Sequence, residues 1–243
     1  MLGNKETPAL SARLEQLRRM VRPGLGLIDV GTDHGYLPLR LAGEGYPGRL
    51  FASDLREGPL STARGNAREA GLEERIHFLL SDGLDACPPD EVDTIVIAGM
   101  GGDTICSILD RAEWCMDARY RLLLQPMSRA EILRYWLCYN GFRIDQEAPV
   151  AEGDTIYQIF SAVFCGVNDA LSDAEIFIGK RGLAPAPLAA RLAAQQRRRM
   201  ETQLAGLLAS RDEQKRSALP WLQTLVIQLR ELEEAYENSS GYL

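Results

Sequence analysis

Apolar and polar positions along the chain alternate between a helical period and a strand period. Leu10, Leu14, Leu17 and Val21 fall at helical spacing behind Ser11, a suitable N-terminal cap, and Pro23-Gly24 stops that helix. Residues 25–30 read as a buried strand, and a turn at Gly31 leads into a helix from about Leu37. A short second strand covers 50–53, a helix 60–70 ends at Gly71, and a third strand covers 76–80. Residues 94–98 form a continuous β-branched fourth strand, as expected for one buried on both faces. A helix from about Thr104, a fifth strand over 121–124 and a helix over 128–139, stopped by Asn140-Gly141, follow. Residues 142–149 and 155–164 then form a closing strand pair with no helix between them. Such alternation predicts a mostly parallel sheet covered on both sides, with an antiparallel edge.

After residue 167 the pattern changes. Leu188, Leu192, Met200, Leu204 and Leu208 share one helical face, interrupted by Gln196. Ala218, Leu222, Leu225, Leu229, Leu232 and Tyr236 alternate steps of four and three, a heptad seam. With a polar connection over 210–217, the two helices predict an antiparallel, coiled-coil-like hairpin, either protruding or packed on the sheet. The expected division is a catalytic unit over 1–167 and a helical extension over 168–243.

Composition narrows the function classes. The 243 residues are 46% hydrophobic and 25% charged, as expected for a globular protein with a real core. The net charge of −7 argues at first against a nucleic-acid partner. Residues 180–230, however, hold about ten basic residues against about three acidic ones. An acidic body with a basic extension suits nucleic acid, because local phosphate contacts govern binding. The five cysteines are scattered without a CxxC and there are two histidines, so the expectation is a reduced, cytoplasmic protein with no metal. No apolar run is long enough for a bilayer, and the first ten residues do not read as a signal peptide. No membrane partner is expected, and a monomer is the expected state.

Four segments carry chemistry. In the first, Asp29-Val30-Gly31 ends the first strand, and Thr32-Asp33-His34-Gly35-Tyr36 forms the turn into a helix. Gly31 permits close ligand approach at the carboxyl end of the sheet. A dinucleotide fold prefers a glycine where Asp33 stands, and a carboxylate there repels pyrophosphate. S-adenosyl-L-methionine instead carries a sulfonium and an ammonium, which Asp29 and its neighbours suit. In the second, Asp54, followed by Leu55, ends the second strand about 20 residues after the glycine turn, placed to accept from ribose hydroxyls. In the third, Ser81-Asp82-Gly83 follows the third strand, where an acidic residue can accept from an adenine amino group. In the fourth, Gly99-Met100-Gly101-Gly102 follows the fourth strand and either admits a ligand to the backbone or makes a plain turn.

The runs D-V-G-T-D-H-G-Y-L-P, S-D-L-R-E-G-P-L, S-D-G-L, I-A-G-M-G-G and L-L-L-Q-P, with the opening L-S-A-R-L, resemble the bacterial tRNA adenine-22 N1-methyltransferase family over residues 10–164. Met127 stands after Gln125-Pro126 where that family is expected to have a polar residue such as Asn. The resemblance implies an α/β, Rossmann-like class I methyltransferase using S-adenosyl-L-methionine to methylate N1 of adenine in tRNA. The cofactor candidates are Asp29, Gly31, His34, Gly35, Tyr36, Asp54, Leu55, Asp82, Gly83, Gly99 and Met100.

Adenine N1 has its own lone pair, so attack needs no strong base but leaves a cationic ring. Asp33 is the catalytic candidate: its carboxylate would accept from the exocyclic amine. Alternatively it caps the helix or binds the cofactor ammonium. His34 either shapes the pocket or serves structurally, while His77 reads as structural. Because N1 lies on the pairing edge, the base must be extruded or unpaired, and Tyr36, Met100 and Pro126 are candidates to meet it. Arg197, Arg198 and Arg199 span most of a helical turn, so at least two can face phosphates, unless the stretch is a solvated face. Lys215 and Arg216 in the connection are further RNA candidates. The competing functions are methylation of another RNA base or a small molecule, non-catalytic cofactor sensing by an RNA-binding protein, and a nicotinamide oxidoreductase.

Overall fold

A computed structural model describes residues 8–180 and 182–240. The first seven residues, on which the signal-peptide expectation mainly rests, lie outside the described residues. The chain runs α1 (Ala12–Met20), β1 (Gly26–Val30), α2 (Tyr36–Gly43), β2 (Arg49–Asp54), α3 (Glu57–Ala70), β3 (Ile76–Leu80), β4 (Thr94–Gly101), α4 (Gly102–Arg111), β5 (Arg121–Ser128) and α5 (Ala130–Tyr139). Then come β6 (Phe142–Glu147), β7 (Val150–Glu152), β8 (Thr155–Tyr157), β9 (Phe160–Phe164), α6 (Asp173–Ile178), α7 (Ala186–Ala209), α8 (Glu213–Arg216) and α9 (Leu219–Ser240).

Seven strands form one sheet in the order β3-β2-β1-β4-β5-β9-β6. The first five are mutually parallel, and β9 runs antiparallel between β5 and β6. The central strands bury both faces by simple alternation. Ile95 and Ile97 pack with Ile105, Leu109, Leu133 and Leu137 of α4 and α5. Val96 and Leu123 point the other way, toward Leu17 of α1 and Leu37 of α2. Apolar runs in β4 and β5 therefore mark the middle of the sheet.

The structure moves three expected boundaries. Strand β4 continues through Gly99 to Gly101 with irregular register, and β5 follows it past Pro126 to Ser128. Helix α5 therefore starts at Ala130, after Arg129 at φ 56°, and not at Ser128. The glycines that looked like a loop are the bulged end of a strand; Gly99, at φ 78°, supplies the bend. The closing strand pair is really four strands. Pro149 interrupts the first expected run, and Gly153, at φ 59°, turns β7 back on β8 as a separate two-stranded sheet.

The C-terminal helices pair as expected. Leu192, Ala193 and Met200 of α7 meet Leu222, Leu225, Leu229 and Tyr236 of α9 in one apolar cluster. Leu208 and Ala218 depart from the expected seam and are exposed, because they lie at the tip where neither helix finds a partner. At its base the hairpin packs on Phe177 and Ile178 of α6 and Ile156 of β8. The side-chain amide of Gln195 pairs with the backbone of Ile156, accepting from its N–H at 2.8 Å and donating to its carbonyl at 3.2 Å.

One buried cation ties these parts together. Arg134 of α5 is 0% exposed. It donates to both oxygens of Glu147 (3.3 and 2.7 Å), to Gln158 Oε1 at 2.5 Å and to the carbonyl of Ile176 in α6 at 2.5 Å. Its guanidinium also lies 4.6 Å from the centre of the Phe160 ring. Arg134→Met would leave Glu147 ionised and uncompensated in the interior. The expected loss is about 3–5 kcal/mol of unfolding free energy, read from urea denaturation at neutral pH; a loss below about 1 kcal/mol would contradict this role.

Candidate active site

Parallel strands end on the same side, so the residues just past β3, β2, β1, β4 and β5 stand in a row. At roughly 4.8 Å per strand the row spans about 19 Å. Along it lies an open cavity of about 670 Å³, a size that holds a small ligand. Ser81 and Asp82 line one end, Asp54 and Asp29 the middle, and Gly99, Met100 and Gln125 the other.

Asp29 is buried and accepts from the Thr32 hydroxyl at 2.7 Å. Burial pushes its carboxyl up to about 6; the Thr32 bond opposes this and the charge of Asp54 adds to it. Gly31, at φ 71°, and Thr32 donate their N–H groups to the Ser53 carbonyl at 2.8 and 2.9 Å, clamping the turn to β2. The positive φ favours glycine at this turn, and the end of the Met100 side chain packs where a Cβ would stand.

Asp33 is held at φ 52°, a left-handed conformation that non-glycine residues adopt at a cost. Its N–H donates to Asp54 Oδ2 at 3.3 Å, while its own carboxylate is largely exposed at 65%. The helix-cap alternative for Asp33 is not realised, since Gly35 occupies the N-cap of α2. His34 Nε2 lies 3.4 Å from Asp33 Oδ2, and its ring stacks on Tyr36 at 5.2 Å. Asn66 of α3 donates to the His34 carbonyl at 2.9 Å. Gly35 lets α2 approach α3, because a Cβ there would stand 3.0 Å from that of Ala63.

Asp54 is buried and also accepts from the Arg56 N–H at 3.0 Å, while Leu55 is exposed beside it. Asp82 is exposed, and its carboxylate is gripped by Arg111 of α4 at 2.8 Å. Gly83 admits Ile108 of α4, which a Cβ would displace. Tyr36 and Met100 line the cavity, but Pro126 is buried within β5. His77 stacks on Phe51 within the sheet, away from the cavity.

Sequence reasoning missed Arg111, Gln125 and Arg13, all of which line the cavity. Arg111 comes from the last turn of α4, and Arg13 from the first turn of α1. Gln125 is buried in β5 and accepts from the Gly99 N–H at 3.2 Å. Its place in Q-P was visible, but its partners were not.

The arginine triplet is not a uniform basic face. Arg197 points across the hairpin to Glu233 at 2.6 Å and down α7 to Glu201 at 2.9 Å, so it stitches α7 to α9 and does not face outward. Arg199 bridges to Glu131 of α5 at 2.9 Å. Arg198 is exposed without an ion pair among the described residues. Lys215 and Arg216 are exposed in α8, Lys215 lying 3.9 Å from Asp212. Among the described residues no cluster of three His, Cys, Asp or Glu side chains could hold a metal, and no helix is long and apolar enough to cross a membrane.

A family model described as a methyltransferase domain matches residues 10–160. The tRNA (adenine(22)-N(1))-methyltransferase of Bacillus subtilis is 31% identical over 164 residues, 68% of each chain. The crystal structure of the Bacillus subtilis m1A22 tRNA methyltransferase TrmK superposes with a TM-score of 0.81 at 26% identity, covering 93% of this chain and 99% of that one. Streptococcus pneumoniae Sp1610, solved in complex with S-adenosyl-L-methionine, is 30% identical with a TM-score of 0.76, covering 93% and 100%. With the carboxylate row and glycine turn in place, the chain belongs to the bacterial tRNA (adenine(22)-N(1))-methyltransferase family of class I, S-adenosylmethionine-dependent enzymes.

Proposed function

We infer that the chain transfers a methyl group from S-adenosyl-L-methionine to N1 of adenine 22 in tRNA. The observation that carries this is the gathering of Asp29, Asp54, Asp82 and Asp33 around one cavity. The donor set fits the cofactor: Asp29 is buried with no cation beside it among the described residues, and an ammonium would offset the cost of ionising it. Asp29 then takes the amino acid part, Asp54 the ribose hydroxyls, and Asp82, steadied by Arg111, the adenine amine. Gly31, His34, Tyr36, Leu55, Gly83, Gly99 and Met100 complete the cavity wall, and Gly35, packed on Ala63, shapes the turn without lining it. Bound there, the cofactor supplies an electrophilic methyl on a sulfonium.

The β4–β5 end of the row is left for the acceptor base. As N1 bonds to the methyl, positive charge spreads to the exocyclic amine. Asp33, exposed at the turn, accepts from that amine and can take its proton afterward. His34, within 3.4 Å, orients the Asp33 carboxylate. The reading assigns catalysis to residues 1–167 and tRNA binding to 168–243, with Arg198, Lys215 and Arg216 meeting phosphates. It treats the protein as a cytoplasmic monomer.

Labelled methyl transfer to unmodified tRNA, followed by nucleoside analysis, should yield 1-methyladenosine at position 22; transfer to another base would refute the assignment. Asp33→Asn should bind S-adenosylhomocysteine normally while turnover falls about 100-fold. Full turnover in that variant would remove the role given to Asp33.

The raised carboxyl of Asp29 sets two opposite pH dependences. The folded state holds this proton more tightly than the unfolded chain, whose ordinary value is 3.8. This group's contribution to stability therefore falls as pH rises from about 4 to about 6. Cofactor affinity should move the other way, since the ammonium needs the carboxylate. Calorimetric titration with S-adenosylhomocysteine should show affinity rising between pH 5 and pH 7, with proton release on binding near pH 6. A flat affinity across that range would contradict the contact.

A further inference from the structure

We propose that Arg13 is a substrate-positioning residue that grips a backbone phosphate beside the target adenosine. The proposal rests on the tRNA methyltransferase reading and adds a contact that reading does not contain.

Arg13 sits in the first turn of α1, yet its side chain lines the cavity. Every part of it but one is fixed. Nε donates to Glu152 Oε2 at 2.8 Å, and the backbone N–H of the same residue donates to Glu152 Oε1 at 3.2 Å. Nη1 donates to Gln125 Oε1 at 3.4 Å and abuts the Met127 sulfur. The guanidinium carbon lies 4.5 Å from the centre of the Tyr157 ring. Nη2 has no partner among the described residues, and the side chain keeps 21% of its exposure.

The position of this group identifies its ligand. Gln125 also accepts from the Gly99 N–H, so Arg13 is tied directly to the β4–β5 end of the row. That end lies beyond the carboxylates suited to the cofactor, where the acceptor must enter. Glu152 and Tyr157 belong to the β7–β8 hairpin, which lies outside the main sheet and contributes no side chain to the cavity wall. The hairpin therefore holds a guanidinium at the acceptor entrance with one N–H edge open. An extruded nucleotide brings a phosphate with it, and a planar guanidinium is matched to phosphate oxygens. A rigid grip at that point sets the depth and tilt of the base, which is what in-line attack on the methyl requires.

The salt dependence of tRNA binding tests the contact. The affinity of unmodified tRNA is measured with S-adenosylhomocysteine present, from about 50 to about 200 mM KCl. In Arg13→Ala the slope of log affinity against log salt should become shallower by about 0.7–1, the value for one lost phosphate contact. Methylation at low salt should fall at least about tenfold, while S-adenosylhomocysteine affinity stays within about twofold. Arg13→Lys should keep the slope but not the rate, because it keeps the charge and loses the fork. Arg13→Gln keeps an N–H for Glu152 and a planar amide over Tyr157 without charge. It should lose the same slope, and it decides the matter if the alanine variant is poorly folded. A wild-type slope in a folded Arg13→Gln protein would overturn the proposal, as would a parallel fall in cofactor affinity. A wild-type protein that forms no 1-methyladenosine would refute the functional reading, while the binding slope would still judge the phosphate contact separately.

Discussion

The structure depends on a sheet whose central strands are buried on both faces. Along most of their length such strands carry apolar side chains, as Ile95, Val96 and Ile97 each face packed helices. Polar function is pushed toward the carboxyl ends of the strands and the turns that follow, and parallel pairing gathers those ends on one side. Asp54, Gly31 and Asp82 come together for this reason, although they are far apart in the chain. Parallel pairing of β4 with β1 brings the end of β4 into the same row, where the tip of Met100 packs over Gly31.

That geometry also sets the electrostatic character of the cavity. Asp29 and Asp54 are both buried, and the charge of Asp54 adds to the cost of ionising Asp29. Asp54 is compensated by backbone N–H groups of Asp33 and Arg56, but among the described residues the Asp29 carboxyl has only the Thr32 hydroxyl. The protein thus keeps one carboxyl in want of a positive partner. A pocket built in this way selects a zwitterionic or cationic ligand over an anionic dinucleotide before any shape comparison is made.

Most of the sheet and the middle of the site were legible in the sequence, because local signals carry them. A strand ending in an acidic residue, with a glycine shortly after, places Asp29, Asp54 and Asp82 without knowledge of strand order. Arg13, Gln125 and Arg111 were not legible, since their meeting depends on which strands are neighbours and how long α4 and α1 run. Spacing alone did not say which of three consecutive arginines face outward: the α7–α9 seam turns Arg197 toward Glu233 and leaves Arg198 and Arg199 exposed. The β7–β8 hairpin was hidden because three-residue strands flanking Gly153 resemble continuations of their longer neighbours. The bulge at Gly99 was missed for the opposite reason, three glycines reading as a loop.

The amide of Gln195 sits against Ile156 as a neighbouring strand would, meeting both its N–H and its carbonyl. Strand β8 is an edge, and an open edge is a template for pairing with another chain. Placing one side-chain amide over that edge fills the hydrogen-bonding positions through which two copies would zip together. The base of the helical hairpin therefore closes an edge that would otherwise stand open to strand pairing.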